Sequence, residues 1–421
     1  MDCTYGEIWV GSFTYATVLK CSRCGVTYSL NRLFTCVCDG VLTVEYDWKR
    51  LKEDFTFEGF GKGRTLIERF RWFLPVKNPE LAVSLGEGNT PLLKSRRLGE
   101  KLGLRSLYFK DETRNPTGSF KDRAISVGVT IARERGVKTV VIASTGNAAT
   151  SLAAYSTVAG FKCVVLVPEG ASPAKLTQVA MYGAKIVAVK GTVDAALGLL
   201  KAANEKWGWT PMPTSAAYNP LQVEGAKTSS YEVYQALKKP PDCMVVPVGG
   251  GDNLYAMEKG FKDLLQLGLI DTLPRMIGVQ AAESAPLVKA FEARSDEIKA
   301  VDQPVTVASG IRVGYPPTGF PALRAIKETG GHAVAVEDEK TLEALKSLAR
   351  LEGVFAEPSG AIAVAALNPL IEDRLIDRDE KVVCVLTGHG LKEVEALKGL
   401  WAMPEPIEAS IEALEKAVKS S

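Results

Sequence analysis

The stretch Val245-Val246-Pro247-Val248-Gly249-Gly250-Gly251-Asp252-Asn253 passes from an unbroken apolar run into three glycines and then a helix-like sequence. A short continuous apolar run bounded by glycine reads as a strand buried on both faces. Successive glycines let backbone N–H groups turn inward, and a following helix adds its positive end, so a phosphate fits there. The loop lacks the Gly-Lys-Ser/Thr ending of a nucleotide P-loop, and its glycines lack the dinucleotide spacing. A plain tight strand–helix turn satisfies the same residues.

The same grammar recurs along the chain. Val140 to Ala143 runs into Ser144-Thr145-Gly146-Asn147, and Val382 to Leu386 runs into Thr387-Gly388-His389-Gly390. Further β-branched runs lie at Cys163 to Val167, Ile186 to Val189, Met276 to Val279 and Ala333 to Val336. Stretches at helical spacing separate most of them, such as Ala195 to Lys206 and Leu342 to Leu351. Short strands alternating with helices predict an α/β fold of doubly wound open sheets. Ligands in such sheets bind beyond the carboxyl ends of the strands, where the polar loops fall. The tail after Trp401 reads as a closing amphipathic helix.

A chain of 421 residues is long enough for two or three domains. Its 46% hydrophobic and 24% charged residues describe a globular protein with a large core. The formal charge is +2, with no basic block or acidic tail, so no nucleic acid or anionic membrane partner is expected. Met1 to Tyr5 show no leader pattern, and no apolar run approaches the about 20 residues of a spanning helix. The expectation is a soluble, cytoplasmic protein. Histidine is confined to His332 and His389, which excludes most imidazole catalysis and multi-histidine metal sites.

Asn115-Pro116-Thr117-Gly118-Ser119-Phe120-Lys121-Asp122-Arg123 combines a turn with a helix start that carries lysine in its first turn. A helix N-terminus disfavours an ammonium there, and so favours a neutral, nucleophilic lysine. The bland alternative is a solvated lysine, with Asp122 and Arg123 in surface ion pairs. Cys163, Cys243 and Cys384 sit in strand-like runs and read as core thiols. Cys21-x2-Cys24 and Cys36-x-Cys38 have the count for a four-thiolate structural zinc site, although the second pair is tightly spaced. The alternative is a set of reduced thiols in a poorly packed segment.

Gly86-Glu87-Gly88-Asn89-Thr90-Pro91-Leu92, Asn115 to Arg123, Ser144 to Asn147, the triple-glycine loop and Thr387-Gly388-His389-Gly390-Leu391-Lys392 follow one another in a familiar order. Together they resemble the threonine synthase family of fold type II, tryptophan synthase β-like, pyridoxal-phosphate enzymes, over roughly Leu81 to Trp401. The resemblance implies pyridoxal 5'-phosphate held as a Schiff base on Lys121, beside Phe120, with Asn147 at the ring hydroxyl and Thr387 at the ring nitrogen. It also implies a phosphate cradle at Gly249, Gly250, Gly251, Asp252 and Asn253. Asp252 departs from the family and is expected to point away. Ser144, Thr145, Gly146 and Ala148 match the substrate-binding loop. A hydroxyl at the ring nitrogen suits elimination and replacement, with Lys121 as general base and acid. His389 is expected to be a loop hydrogen-bonder and His332 structural.

The resemblance further implies a homodimer acting on a small amino acid, with the cofactor between two open-sheet domains. The expected division is residues 1–75 as a cysteine-rich, zinc-ribbon-like extension, 76–125 with 236–421 as the large domain, and 126–235 as the small one. The family holds the phosphate of O-phosphohomoserine in a segment that here reads Ala216-Ala217-Tyr218-Asn219-Pro220-Leu221-Gln222-Val223-Glu224-Gly225-Ala226-Lys227-Thr228. Its Asn-Ser pair falls on Ala216-Ala217 and its arginine on Gln222, which removes the main charge compensation. Two readings follow. In one, another cation, Lys185, Lys227 or Arg312, serves a threonine synthase. In the other, a paralogue performs β-elimination or β-replacement on a serine- or threonine-type substrate.

Overall fold

A computed structural model describes residues 13–169, 173–190 and 193–419. Met1 to Tyr5, read above for a leader, lie outside the described residues. Strands β1 (Ala16–Cys21), β2 (Thr27–Tyr28) and β3 (Leu42–Tyr46) form an antiparallel sheet in the order β2-β1-β3. Next in the chain come β4 (Leu92–Lys94) and β5 (Ser106–Asp111). They are followed by β6 (Thr139–Ala143), β7 (Lys162–Pro168), β8 (Lys185–Val189) and β9 (Thr210–Pro211). The last strands are β10 (Cys243–Pro247), β11 (Arg275–Ala281), β12 (His332–Val336) and β13 (Lys381–Leu386).

Two open sheets result. One has the order β12-β11-β10-β13-β5-β4, parallel except for the edge strand β4; the other is wholly parallel, β8-β7-β6-β9. All seven apolar runs named from the sequence lie within strands or overrun them by one residue. β10 is buried throughout and β13 from Val382 onward, as expected for strands covered on both faces. The mixed α/β architecture is thus the expected fold class. Among the described residues, no helix is long and apolar enough to cross a membrane.

One expectation needs correction, and one alternative falls away. Among the described residues the tail is helical only over Ile411–Lys419, and that helix buries none of its residues, so it closes nothing. The cysteine-bearing segment is not poorly packed. Leu19, Leu42 and Leu51 are fully buried in a core that continues through Phe60, Phe70 and Phe73 to Tyr231, Met244 and Phe261. The Tyr46 hydroxyl reaches both the Phe73 carbonyl at 2.6 Å and Glu224 at 2.8 Å.

Candidate active site

The Asn115–Ser119 turn is fastened to the helix Lys121–Glu134 by Asp122, whose carboxylate accepts from Thr117 N–H at 2.7 Å and Thr117 Oγ1 at 2.6 Å. Lys121 opens that helix, and its Nζ lies 4.5 Å from the centroid of the Phe120 ring. Burial pushes the Lys121 ammonium down, against the upward pull of the Asp252 and Glu357 carboxylates. The alternative of surface ion pairs for Asp122 and Arg123 does not hold. Both residues are fully buried, and Arg123 bridges Glu112 at 2.7 Å and Glu232 at 2.6 Å. A buried guanidinium needs such partners, and they fix the helix that carries Lys121.

The end of β13 is laced to the lysine loop through the main chain. Phe120 N–H donates to the Thr387 carbonyl at 3.0 Å, and His389 N–H to that of Gly118 at 2.8 Å. His389 Nδ1 accepts from Leu391 N–H at 3.1 Å, a loop hydrogen bond. The Thr387 hydroxyl lies 3.0 Å from Glu357 Oε1. Asn147, the first residue of the helix Asn147–Ala159, donates its amide to the same carboxylate at 3.0 and 3.2 Å. Glu357 therefore joins two residues that the resemblance assigns to the hydroxyl and to the nitrogen of the cofactor ring. Sequence reasoning missed it. The available signal was a lone carboxylate in the apolar run from Phe355 to Ala366.

The triple-glycine loop joins β10 to the helix Asp252–Gln266. Gly251 has φ +93°, and a Cβ there would lie 2.7 Å from the Thr318 carbonyl oxygen, so glycine is required. The Asp252 carboxylate accepts from Ala216 N–H at 2.9 Å and Thr318 Oγ1 at 2.6 Å. These donors engage the acidic group at the loop. Among the described residues Asn253 Nδ2, which is buried, has no hydrogen-bond partner, an unspent donor at the start of the helix.

Ser144, Thr145 and Gly146 form the half-buried turn between β6 and the Asn147 helix, with Gly146 N–H donating to Ser144 Oγ at 3.2 Å. Ala148 is buried within that helix. Gln222 stands apart. Its side chain is fully buried, Nε2 donates to the Pro213 carbonyl, and a Cβ at Gly128 would lie 2.7 Å from its Oε1. Lys227 is enclosed by Glu224 and Asp263, both at 2.7 Å. Lys185 opens β8, at the sheet edge opposite the strand ends that carry the loops. Arg312 is exposed and follows Ile311, whose Cα lies 3.1 Å from where a Gly249 Cβ would stand.

The four N-terminal sulfurs lie within 4.8 Å of one another. Cys21 Sγ and Cys38 Sγ are 3.5 Å apart, as are those of Cys24 and Cys36. A tetrahedral zinc with bonds of about 2.3 Å sets thiolates about 3.8 Å apart, so the cluster is compatible with structural zinc. The Tyr28 hydroxyl, 3.1 Å from Cys36 Sγ, adds an outer hydrogen bond of the kind that steadies metal ligands.

A glycine-lined loop, a buried lysine and polar strand ends facing one another define a cofactor enzyme. The family model described as pyridoxal-phosphate dependent enzyme matches residues 83–388. Threonine synthase from Methanocaldococcus jannaschii is 44% identical over 95% of this chain and 99% of its own length. Threonine synthase from Methanosarcina acetivorans is 42% identical over 95% of this chain and 98% of its own. The crystal structure of a threonine deaminase from T.th. has a TM-score of 0.61 at 27% identity, covering 72% of this chain and 92% of that one. The chain belongs to the threonine synthase family of pyridoxal-phosphate enzymes.

The residues present fit that cofactor. Lys121 is held toward its neutral form by burial, the Gly249–Gly251 loop excludes side chains, and Asn253 keeps a buried donor unspent.

Proposed function

We propose that the chain is a pyridoxal-phosphate-dependent threonine synthase, converting O-phosphohomoserine and water into threonine and phosphate by γ-elimination and β-replacement. It is a carbon–oxygen lyase acting on a small amino-acid phosphate. One observation carries the reading: a buried, deprotonation-prone Lys121 begins its helix where the β13 loop is hydrogen-bonded to it. The bound cofactor supplies the electron sink that acidifies substrate C–H bonds. Lys121 then moves protons at the α, β and γ carbons, a task suited to an amine with a lowered pKa. Gly249, Gly250, Gly251 and Asn253 hold the cofactor phosphate, while Asp252 braces the loop. Asn147 and Thr387 orient the ring beside Phe120. Ser144, Thr145, Gly146 and Ala148 at the helix start receive the substrate carboxylate.

Of the three cations considered for the leaving phosphate, Lys227 is spent on two carboxylates and Lys185 lies at the far edge of its sheet. Arg312, beside the glycine loop, takes that role, and Gln222 packs the core. We further assign residues 76–125 with 236–421 to the large domain and 126–235 to the small one, in a cytoplasmic homodimer. A second reading is supported by Ala216-Ala217 and the sequestered Gln222, which offer no anion site: β-elimination or β-replacement on serine- or threonine-type substrates. Incubation with O-phosphohomoserine separates the two. Equal release of phosphate and threonine is expected, whereas a yellow, folded protein that releases neither supports the second reading.

A further inference from the structure

Glu357 is 2% exposed and opens the helix Pro358–Ala365. Its carboxylate is contacted from two directions, by the Asn147 amide at 3.0 and 3.2 Å and the Thr387 hydroxyl at 3.0 Å. The site is shaped around it, because a Cβ at Gly388 would lie 2.6 Å from Glu357 Cδ. The charged groups acting on it are Lys121 from the helix Lys121–Glu134, and Lys392 and Glu393 from the segment after β13; Asp252 shares Lys121 from the glycine-loop side. Such a group serves no purpose as a mere filler, since an unpaired buried carboxylate is costly and an apolar side chain packs as well.

We propose that Glu357 is a positioning residue that sets the proton balance at the cofactor ring nitrogen through Thr387. An ionised carboxylate only accepts hydrogen bonds, so it takes the Thr387 hydroxyl proton and turns that oxygen's lone pairs outward. An oxygen presenting lone pairs favours a protonated ring nitrogen. A protonated Glu357 donates to Thr387 instead, and the threonine proton then points outward and favours an unprotonated ring nitrogen. One proton is thus exchanged along Glu357, Thr387 and the ring nitrogen, and none is created or lost. The same carboxylate, by accepting from Asn147 Nδ2, fixes which end of that amide faces the pocket. Thr387 alone would leave the ring nitrogen unprotonated; the Glu357–Thr387 pair makes its state adjustable.

The inference rests on cofactor binding at Lys121, and one experiment tests the two separately. Protein loaded with ring-15N pyridoxal phosphate is followed by 15N NMR from pH 6 to pH 9, in wild type, Glu357→Gln and Gly388→Ala. The glutamine cannot ionise, and the alanine methyl displaces the carboxylate without altering it. The expected result is that both variants move the midpoint of the ring-nitrogen titration by at least about one pH unit, a tenfold change in proton affinity. Glu357→Gln in a Thr387→Ala background then causes no further movement. Superimposable titrations in wild type and in whichever variants fold overturn the proposal. A wild type that takes up no cofactor defeats the function proposed above, whereas uptake with unmoved titrations defeats only the role of Glu357.

Discussion

The Arg123 guanidinium lies 2.6 Å from the Glu232 carboxylate, both buried, two residues beyond Lys121. Glu232 also holds Lys110 at 2.8 Å and Arg69 at 3.3 Å, so one carboxylate gathers three cations from separate parts of the chain. Glu112 supplies the second anion. Replacing Arg123 by methionine leaves these carboxylates short of a partner in the interior, and a loss of about 3–5 kcal/mol is expected. Denaturant unfolding measures it. A loss below about 1 kcal/mol would show that the network relaxes without cost.

Lys121→Ala is expected to abolish turnover and the visible absorbance of tightly held cofactor while the far-UV spectrum stays native. Dialysis followed by absorbance and activity measurements checks both. Full activity in this variant would sink the assignment of Lys121.

Stability should report the lysine as well. Burial lowers the Lys121 pKa, so between its folded value and the ordinary 10.5 the unfolded chain binds more protons than the folded one. Cofactor-free protein therefore gains stability as pH rises through that window. The gain should disappear in Lys121→Met, as measured by denaturant midpoints at successive pH values. Equal slopes for both proteins would contradict the shift.

Gly251→Ala forces a left-handed residue to carry a Cβ 2.7 Å from the Thr318 oxygen. Cofactor affinity should fall by at least about tenfold, corresponding to about 1.4 kcal/mol. Titrating the cofactor-free variant with pyridoxal phosphate gives the ratio, and an unchanged affinity would remove this loop from the phosphate site.

The four cysteines should hold about one zinc per chain. Metal analysis of purified protein checks the content, and chelation should lower the unfolding temperature in wild type but not in Cys36→Ser. No stoichiometric zinc would count decisively against the site.

Legibility in the sequence followed how local each signal was. Val140 to Ala143 and Val382 to Leu386 announced both strands and their polar exits, because buried parallel strands write themselves as continuous apolar runs. β5 was less legible: Ser106–Asp111 ends in Lys110, whose charge is buried because Glu232 arrives from elsewhere in the chain, and in Asp111, which is satisfied locally by Thr113. The roles of Asp122 and Arg123 were not legible, since their partners lie across a turn or far along the chain. Glu357 was invisible as a site residue until Asn147 and Thr387, 210 and 30 positions away, met on its carboxylate. Gln222 was matched to a clamp by its frame of neighbours, but its environment is set by Pro213 and Gly128.

The Tyr46 hydroxyl reaches across to Glu224, Tyr255 bonds Thr43 at 2.5 Å, and Lys259 reaches the Val44 carbonyl at 2.7 Å. These bonds make the N-terminal sheet a wall of the catalytic body. A gene trimmed to the segment that matches the family, residues 83–388, would encode a protein with its interior opened to water. Glu224 and Lys259 would lose their ceiling, and Phe60, Phe70 and Phe73 would leave a void beside Tyr231. Shortening this enzyme, by evolution or by design, therefore requires rewriting the surface that residues 13–75 cover.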